Sequence, residues 1–455
     1  MGKKRLLRLR KSGQMKLSRR HIQNRERLCL DELLAAQYNF FATLPDVRNR
    51  TIGQSIADIC QAGFALFHLK FPSLLDFDTM TTVQRENLRR VYQINSVCSD
   101  TQMRRVLDPI DPQSIWQRVN DLWVDSLNRL GVKREYALLG GRLLVSVDGV
   151  EHFSSKHVKC AHCLTRQSKK NKQTTYSHQM LVGSLVHPHK STVLPCFSEP
   201  IIRQDGTTKN DCERNAVKRL FERLNRDHAD KKLLIVADGL YSCGPVIEGL
   251  GSPSRFQHDF IFVAKPDDHK NLFKHFETRR QNNATSKFHY QDHTGSHLYE
   301  WTNNISLNNA QAHLRLGFFQ YTHQRKDGQT TTWSWVTNLK ITAKNIRQLV
   351  RAARARWKIE NETFNTLKNQ GYQFEHNFGH GYQNLATVFA FLMLLAFFVD
   401  QLMELCSTEF KQILDKAKTR KKVWFIQRAI FTTSLQENFR TIYGRLAELF
   451  GVQLI

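Results

Sequence analysis

An α/β fold with helical regions at both ends follows from three observations on the chain. Three short apolar runs, Leu143-Leu144-Val145-Ser146-Val147, Leu233-Leu234-Ile235-Val236-Ala237 and Phe260-Ile261-Phe262-Val263-Ala264, are bounded by turn or charged residues. Strands buried on both faces of a sheet read this way. Residues 275–340 alternate instead, in Phe288-His289-Tyr290, Leu314 to Tyr321 and Thr330 to Val336, around a turn at Lys326-Asp327-Gly328, and predict a β-rich insertion. Helical spacing of apolar residues fills the segments before and after.

Taken in order, residues 1–27 hold eleven Lys or Arg against the single acid Glu26, a basic arm suited to phosphate contact. Residues 28–135 read as helical, from Leu28-Cys29-Leu30 through Phe40-Phe41 and again from Ile56 to Leu69. Thr82 through Leu107 predicts two short helices around a turn at Ser99-Asp100, open to two readings, a DNA-reading helical pair or part of a plain bundle. Between the first two apolar strands lie an alternating stretch, Tyr176 to Val186, and a helix from Asp211 to Arg226. Helix returns from Thr342 through Gln370 and from residue 376 to the end. These changes divide the chain into a helical region with the basic arm (1–135), an α/β core with the insertion (136–375) and a helical C-terminal region (376–455).

The charge narrows the partner. Lys and Arg number 67 against 41 acids, a net +26 over 455 residues, and the self-repulsion of so basic a surface is relieved by a polyanion. Nucleic acid is the partner expected, and the 41% hydrophobic content excludes a disordered chain. Nine thinly spread cysteines argue against a disulfide scaffold and for a reducing, cytosolic compartment. The most apolar run, Leu385 to Leu405, is interrupted by Asp400, Gln401 and Glu404 and reads as a buried helix rather than a membrane span.

Asp148 and Asp238 share one context, an apolar strand running into Asp-Gly. At the C-terminal edge of parallel-type strands, two carboxylates face the crevice where α/β ligands bind, and their hard oxygen atoms suit Mg²⁺. Arg356-Trp357-Lys358-Ile359-Glu360 then places Arg356, Glu360 and Thr363-Phe364 along one helical stripe, with Lys368 beyond. Glu362 competes with Glu360 for the third carboxylate, and Glu375 is a more distant candidate. Cys160 and Cys163 form a CxxC with His157, His178, Cys196 and Cys212 at varied distances. With only one such pair, reduced and non-ligating thiols are expected, and structural Zn²⁺ at Cys160/Cys163 is the alternative.

The order Asp148, Asp238, Glu360, separated by 90 and 122 positions, resembles the DDE transposases of bacterial insertion sequences, in the subgroup with a β-strand insertion before the Glu. The resemblance spans roughly residues 140–400, and Glu375-His376-Asn377-Phe378-Gly379-His380-Gly381 adds to it. It is carried by Arg356 and Glu360, which match the subgroup's signature of Tyr, two residues, Arg, three residues, Glu, six residues, Lys. Ala353 stands in place of the Tyr, and Lys368 comes one residue late, which requires a local bulge or a different helical phase. The resemblance implies a ribonuclease-H-like core and two Mg²⁺ ions, with Mn²⁺ able to substitute, held by Asp148, Asp238 and Glu360. It implies cleavage at the ends of an insertion sequence and attack of the freed 3′-hydroxyl on target DNA, with double-stranded DNA as partner, a homodimer or higher assembly on it, and a place at the bacterial nucleoid. Arg356 and Lys368 are then phosphate contacts. Trp333 and Trp335, on one face of a strand in Thr332-Trp333-Ser334-Trp335-Val336, offer a stacking platform for a flipped base, with core packing the competing role. The rival functions are a metal-dependent nuclease without strand transfer and a non-catalytic DNA-binding protein.

Overall fold

The computed structural model describes residues 16–48, 53–203, 212–252 and 255–453; residues 1–15 of the basic arm and Asp211 lie outside them. Its centre is an eleven-stranded mixed sheet. Strands β1 (Arg142–Ser155), β2 (Thr174–Leu185) and β3 (Leu194–Ile201) run antiparallel to one another, and β4 (Leu233–Ala237) and β5 (Asp259–Val263) continue the sheet parallel to β1. The sheet then extends through an antiparallel meander, β6 (Ser286–Asp292), β7 (Gly295–Ser306), β8 (Arg315–Arg325) and β9 (Thr330–Thr337), with β9 paired to β5. Short strands Ala137–Leu138 and Leu164–Gln167 pair with β1 and β2.

The three apolar runs form the parallel strands. Every residue of β4 is buried, as expected for a strand covered on both faces. The Asp-Gly at the first run does not end its strand. β1 continues to Ser155 because β2 keeps pairing with it, Asp148 opposite Val182 and Gly149 opposite Leu181. What ends near Asp148 is the parallel partner: β4 stops at Ala237, one residue before Asp238. The insertion also starts later than its alternation suggests, since residues 275–281 belong to a helix, α8 below, and the first strand opens at Ser286.

The helices pack around this sheet. Helices α1 (Arg19–Glu26), α2 (Leu30–Ala42), α3 (Ile56–His68), α4 (Thr82–Tyr92), α5 (Asp100–Leu107) and α6 (Pro112–Asn128) precede the sheet. α7 (Glu213–Asp227) packs on β3, and α8 (Lys270–Gln281) on the meander. After the sheet come α9 (Ile346–Arg354), α10 (Leu385–Cys406), α11 (Thr408–Ala417), α12 (Arg420–Thr433) and α13 (Phe439–Leu449). α10 is the one helix among the described residues long and apolar enough to cross a membrane, and it is buried along its length, packed on α3, α6 and β3. Residues 376–384 are not helical; they lead into α10, and the N–H groups of Tyr382, Gln383 and Asn384 before the helix and of Leu385 at its start donate to the Asp108 carboxylate at 2.9–3.1 Å.

Both ends of the chain therefore share one apolar core. Asn87 of α4 donates to the carbonyls of Phe431 and Ser434, which joins one face of α4 to α12, while Arg85, Arg89, Arg90, Arg104 and Arg105 of α4 and α5 stay exposed. Buried Lys70 pairs with buried Asp400 of α10, which also accepts from Tyr372 and lies 3.4 Å from His68. Burial alone drives the Asp400 carboxyl upward, but Lys70 and His68 outweigh it and hold it below the usual carboxylate range.

Candidate active site

Asp148 and Asp238 meet because β1 and β4 are parallel neighbours in register. Ser146 pairs with Val236, and each aspartate lies two residues further on. Asp238 caps a short 3₁₀ turn, Gly239–Tyr241, accepting from the Leu240 N–H at 2.8 Å. The third carboxylate arrives from far along the sequence. The predicted continuous helix after residue 342 is broken: α9 ends at Arg354, a 3₁₀ turn spans Ala355–Trp357, and a π-helical turn spans Ile359–Phe364. Two buried serines facing each other on β1 and β2 hold this stretch to the sheet. Ser146 Oγ donates to the Arg356 carbonyl at 2.9 Å, and Ser184 Oγ lies 3.1 Å from Thr363 Oγ1. A hydroxyl inside an otherwise apolar strand is retained here because it has a partner.

Arg356 joins the carboxylates. Its Nη1 lies 2.7 Å from Glu360 Oε1 and 3.5 Å from Asp148 Oδ2. Glu362 turns instead toward Lys358, at 3.9 Å, and Glu375 pairs with Lys368 at 2.7 Å on the outside. Of the three candidate glutamates, Glu360 is thus the one tied through Arg356 to Asp148. The Asp148 carboxyl is pushed up to about 7, chiefly by burial; Arg356 opposes the rise, and Glu360 and Asp238 reinforce it. One guanidinium faces the three carboxylates, which leaves the cluster net negative, and oxygen-only donors are the set a hard divalent cation takes. The donor set therefore fits Mg²⁺.

A fourth carboxylate stands beside them. Glu213 opens α7, as its place in the first helical turn suggests, but it also reaches the site. A Cβ built on Gly149 would sit 2.5 Å from Glu213 Oε1, so the glycine after Asp148 serves close approach rather than a turn. Buried Tyr241 donates to Glu213 Oε2 at 3.2 Å. Burial raises the Glu213 carboxyl, Tyr241 opposes, and Asp238 adds to the rise. In sequence, the acidic run Asp211-Cys212-Glu213 reads as a charge effect at a helix N-terminus rather than a metal site, and the structure adds the approach of Glu213 to Gly149. Beside it opens a groove of ≈ 1170 Å³ lined by Arg166, Lys169, Lys170 and Arg214.

The two tryptophans differ. Trp335 is 3% exposed and stacks on Phe319 in the core. Trp333 is partly exposed, stacks on Tyr321 with centroids 5.5 Å apart, and lies under the Arg354 guanidinium at 4.7 Å. The CxxC is also not isolated. Cys160, Cys163, His178 and His380 converge, with all four ligand atoms within 4.8 Å of one another. His157, Cys196 and Cys212 are not members of this group. His380 escaped the sequence reading because it lies 202 residues beyond His178, in a stretch with no ligand spacing of its own.

No curated protein matches the chain. The family described as "Transposase DDE domain" matches residues 151–398, more than half the length, a span that contains Asp238 and Glu360 and begins three residues after Asp148. With that match laid over strands that bring Asp148 beside Asp238, and over the turn that carries Glu360, the chain belongs to the DDE transposase family.

Proposed function

We propose that this protein cleaves DNA at the ends of an insertion sequence and joins the cut ends to target DNA, with Asp148, Asp238 and Glu360 as the catalytic carboxylates. The observation that carries the reading is the Arg356 bridge from Glu360 to Asp148, which brings residues 212 positions apart to one point. Sheet β3-β2-β1-β4-β5, with Asp148 on β1 and Asp238 immediately after the parallel neighbour β4, supports a ribonuclease-H-like core. The proposed domains are a DNA-binding region at 1–135, the core with its insertion at 136–375 and a C-terminal region at 376–455.

Two Mg²⁺ ions, or Mn²⁺ in their place, supply Lewis acidity and charge neutralisation at the transferring phosphoryl group. The chain's own residues prepare for this. Asp148 on β1, Asp238 at the cap of the 3₁₀ turn after β4, and Glu360 on the π-helical turn would provide the oxygen ligands. Arg356, beside Asp148 and Glu360, would grip a DNA phosphate bidentately, where a Lys serves only as a point charge. Lys368 contacts the backbone further along, and Trp333, backed by Tyr321 and Arg354, stacks against an unpaired base. The groove with Arg166, Lys169, Lys170 and Arg214 carries the duplex toward the carboxylates. A homodimer or higher assembly brings two ends together.

The test incubates the full chain with its flanking terminal DNA and Mg²⁺ and sizes the products. Nicked ends followed by joined products are expected. Cleavage without joining reduces the protein to a nuclease, and binding without cleavage to a DNA-binding protein.

A further inference from the structure

We propose that Cys160, Cys163, His178 and His380 form a structural Zn²⁺ site that ties the end of strand β1 to the segment entering α10. This site is separate from the carboxylates and rests on no part of the transposition reading.

The distances carry the argument. Four ligands at Zn–S of about 2.3 Å and Zn–N of about 2.0–2.1 Å around a tetrahedron stand about 3.8 Å apart for sulfur to sulfur, about 3.3 Å for nitrogen to nitrogen and about 3.5 Å for the mixed pairs. Cys160 Sγ and Cys163 Sγ are 3.8 Å apart, far too distant for a disulfide of about 2.05 Å. His178 Nε2 lies 3.4 Å from each sulfur, Cys163 Sγ lies 3.2 Å from His380 Nε2, and the two Nε2 atoms are 3.1 Å apart. Five of the six ligand–ligand separations are therefore close to those of a tetrahedron, and the sixth, Cys160 Sγ to His380 Nε2, lies within 4.8 Å.

The surroundings suit a closed structural site. Cys163, His178 and His380 are buried and Cys160 is part-buried. The Phe153 ring covers His380 with centroids 4.5 Å apart. His380 Nδ1 donates to the Gly381 carbonyl at 2.7 Å, which fixes the tautomer and leaves the Nε2 lone pair directed at the cluster. The CxxC forms a tight turn, Cys163 N–H to Cys160 carbonyl at 3.3 Å, that points both sulfurs the same way. The Cys160 N–H also donates to Cys163 Sγ at 3.4 Å, a contact that favours the thiolate. Two sulfurs and two imidazole nitrogens converge on one point with no protein cation among them, the donor set that Zn²⁺ takes.

The consequence for the fold is specific. Cys160 and Cys163 follow β1, the strand of Asp148; His178 belongs to β2; His380 precedes the Asp108-capped start of α10. The ion thus clamps the C-terminal region against the strands beside the carboxylates. Such an ion contributes folding energy directly.

The experiment measures zinc in the full chain, expressed with zinc and purified without chelator. About one zinc per chain is expected in the native protein, in Cys212→Ser and in Asp148→Asn, and at least about tenfold less in Cys163→Ser and His380→Ala. Should those variants fail to fold, the native protein decides. A chelator should strip the metal, lower the melting temperature and expose Cys160 and Cys163 to a thiol reagent, and Co²⁺ reconstitution should give the visible spectrum of tetrahedral thiolate cobalt. Zinc below about 0.1 per chain in the native protein, full zinc in Cys163→Ser, or Cys160 and Cys163 reacting as fast as Cys212 before chelation overturns the site.

Discussion

Asp148 is the side chain whose titration is most open to measurement. Its folded value near 7 lies well above that of an exposed aspartate, so the fold favours its neutral form. The stabilisation from the protonated form is full below about pH 4 and is lost as pH rises through about 7. Asp148→Asn, which stays neutral, should therefore raise the melting temperature relative to native protein at pH 8, with the gain shrinking toward pH 5. Mg²⁺ at pH 8 should stabilise the native protein and not the variant. A pH-independent difference in melting temperature would remove the ionisation argument. At the third carboxylate, Glu360→Gln should reduce strand cleavage by about 10²-fold or more while leaving duplex affinity intact, and Glu362→Gln should cut near the native rate. A cleavage assay showing the reverse pattern moves the assignment to Glu362. Arg356→Ala should weaken assembly on cleaved ends more than Lys368→Ala, whose partner Glu375 makes an exposed ion pair worth under about 1 kcal/mol.

The segment carrying Glu360 gives element-scale predictions. Lys368 falls one residue later than the family signature, and the π-helical turn at Ile359–Phe364 lies between Glu360 and Lys368, where it absorbs one extra residue. Its seating on the sheet depends on Ser146 and Ser184. Ser146→Ala removes the donor to the Arg356 carbonyl and should cost about 1–3 kcal/mol in urea unfolding, with a fall in cleavage as Glu360 shifts. Across the helical bundle, Lys70→Met strands the buried Asp400 charge, and about 3–5 kcal/mol of destabilisation is expected. The double variant Lys70→Met/Asp400→Leu should recover much of it; failure to recover would mean that packing, not charge, governs the pair.

For the whole molecule the dominant quantity is charge. A net +26 predicts DNA affinity falling steeply with salt, with log K against log salt sloping about −0.9 per phosphate neutralised. Deleting residues 3–27 should reduce affinity for all duplexes alike, because phosphate contacts carry no sequence information. Gel-shift titrations at several salt concentrations test both, and a flat salt dependence would remove the argument from composition.

Local pattern was enough for part of this protein. The apolar runs at residues 143, 233 and 260 became parallel-sheet strands because continuous Val, Ile and Leu suit burial on both faces, and Leu385 to Leu405 became a buried helix for the same reason. Motif and strand context singled out Asp148, Asp238 and Glu360, the carboxylates proposed for catalysis. Where pattern failed, long-range packing had decided. Continued pairing with β2 carries β1 through Asp148-Gly149, which reads locally as a turn. Two serines on neighbouring strands set down the 3₁₀ and π-helical turns after α9, and no helical periodicity records them. Glu213 reaches the carboxylates only because α7 crosses Gly149, and His380 meets the CxxC only because the segment before α10 folds back on β1 and β2. Sequence specifies which residues have the right chemistry, but it encodes proximity only between near neighbours, and a site assembled from residues hundreds of positions apart exists only once the sheet and helices have packed.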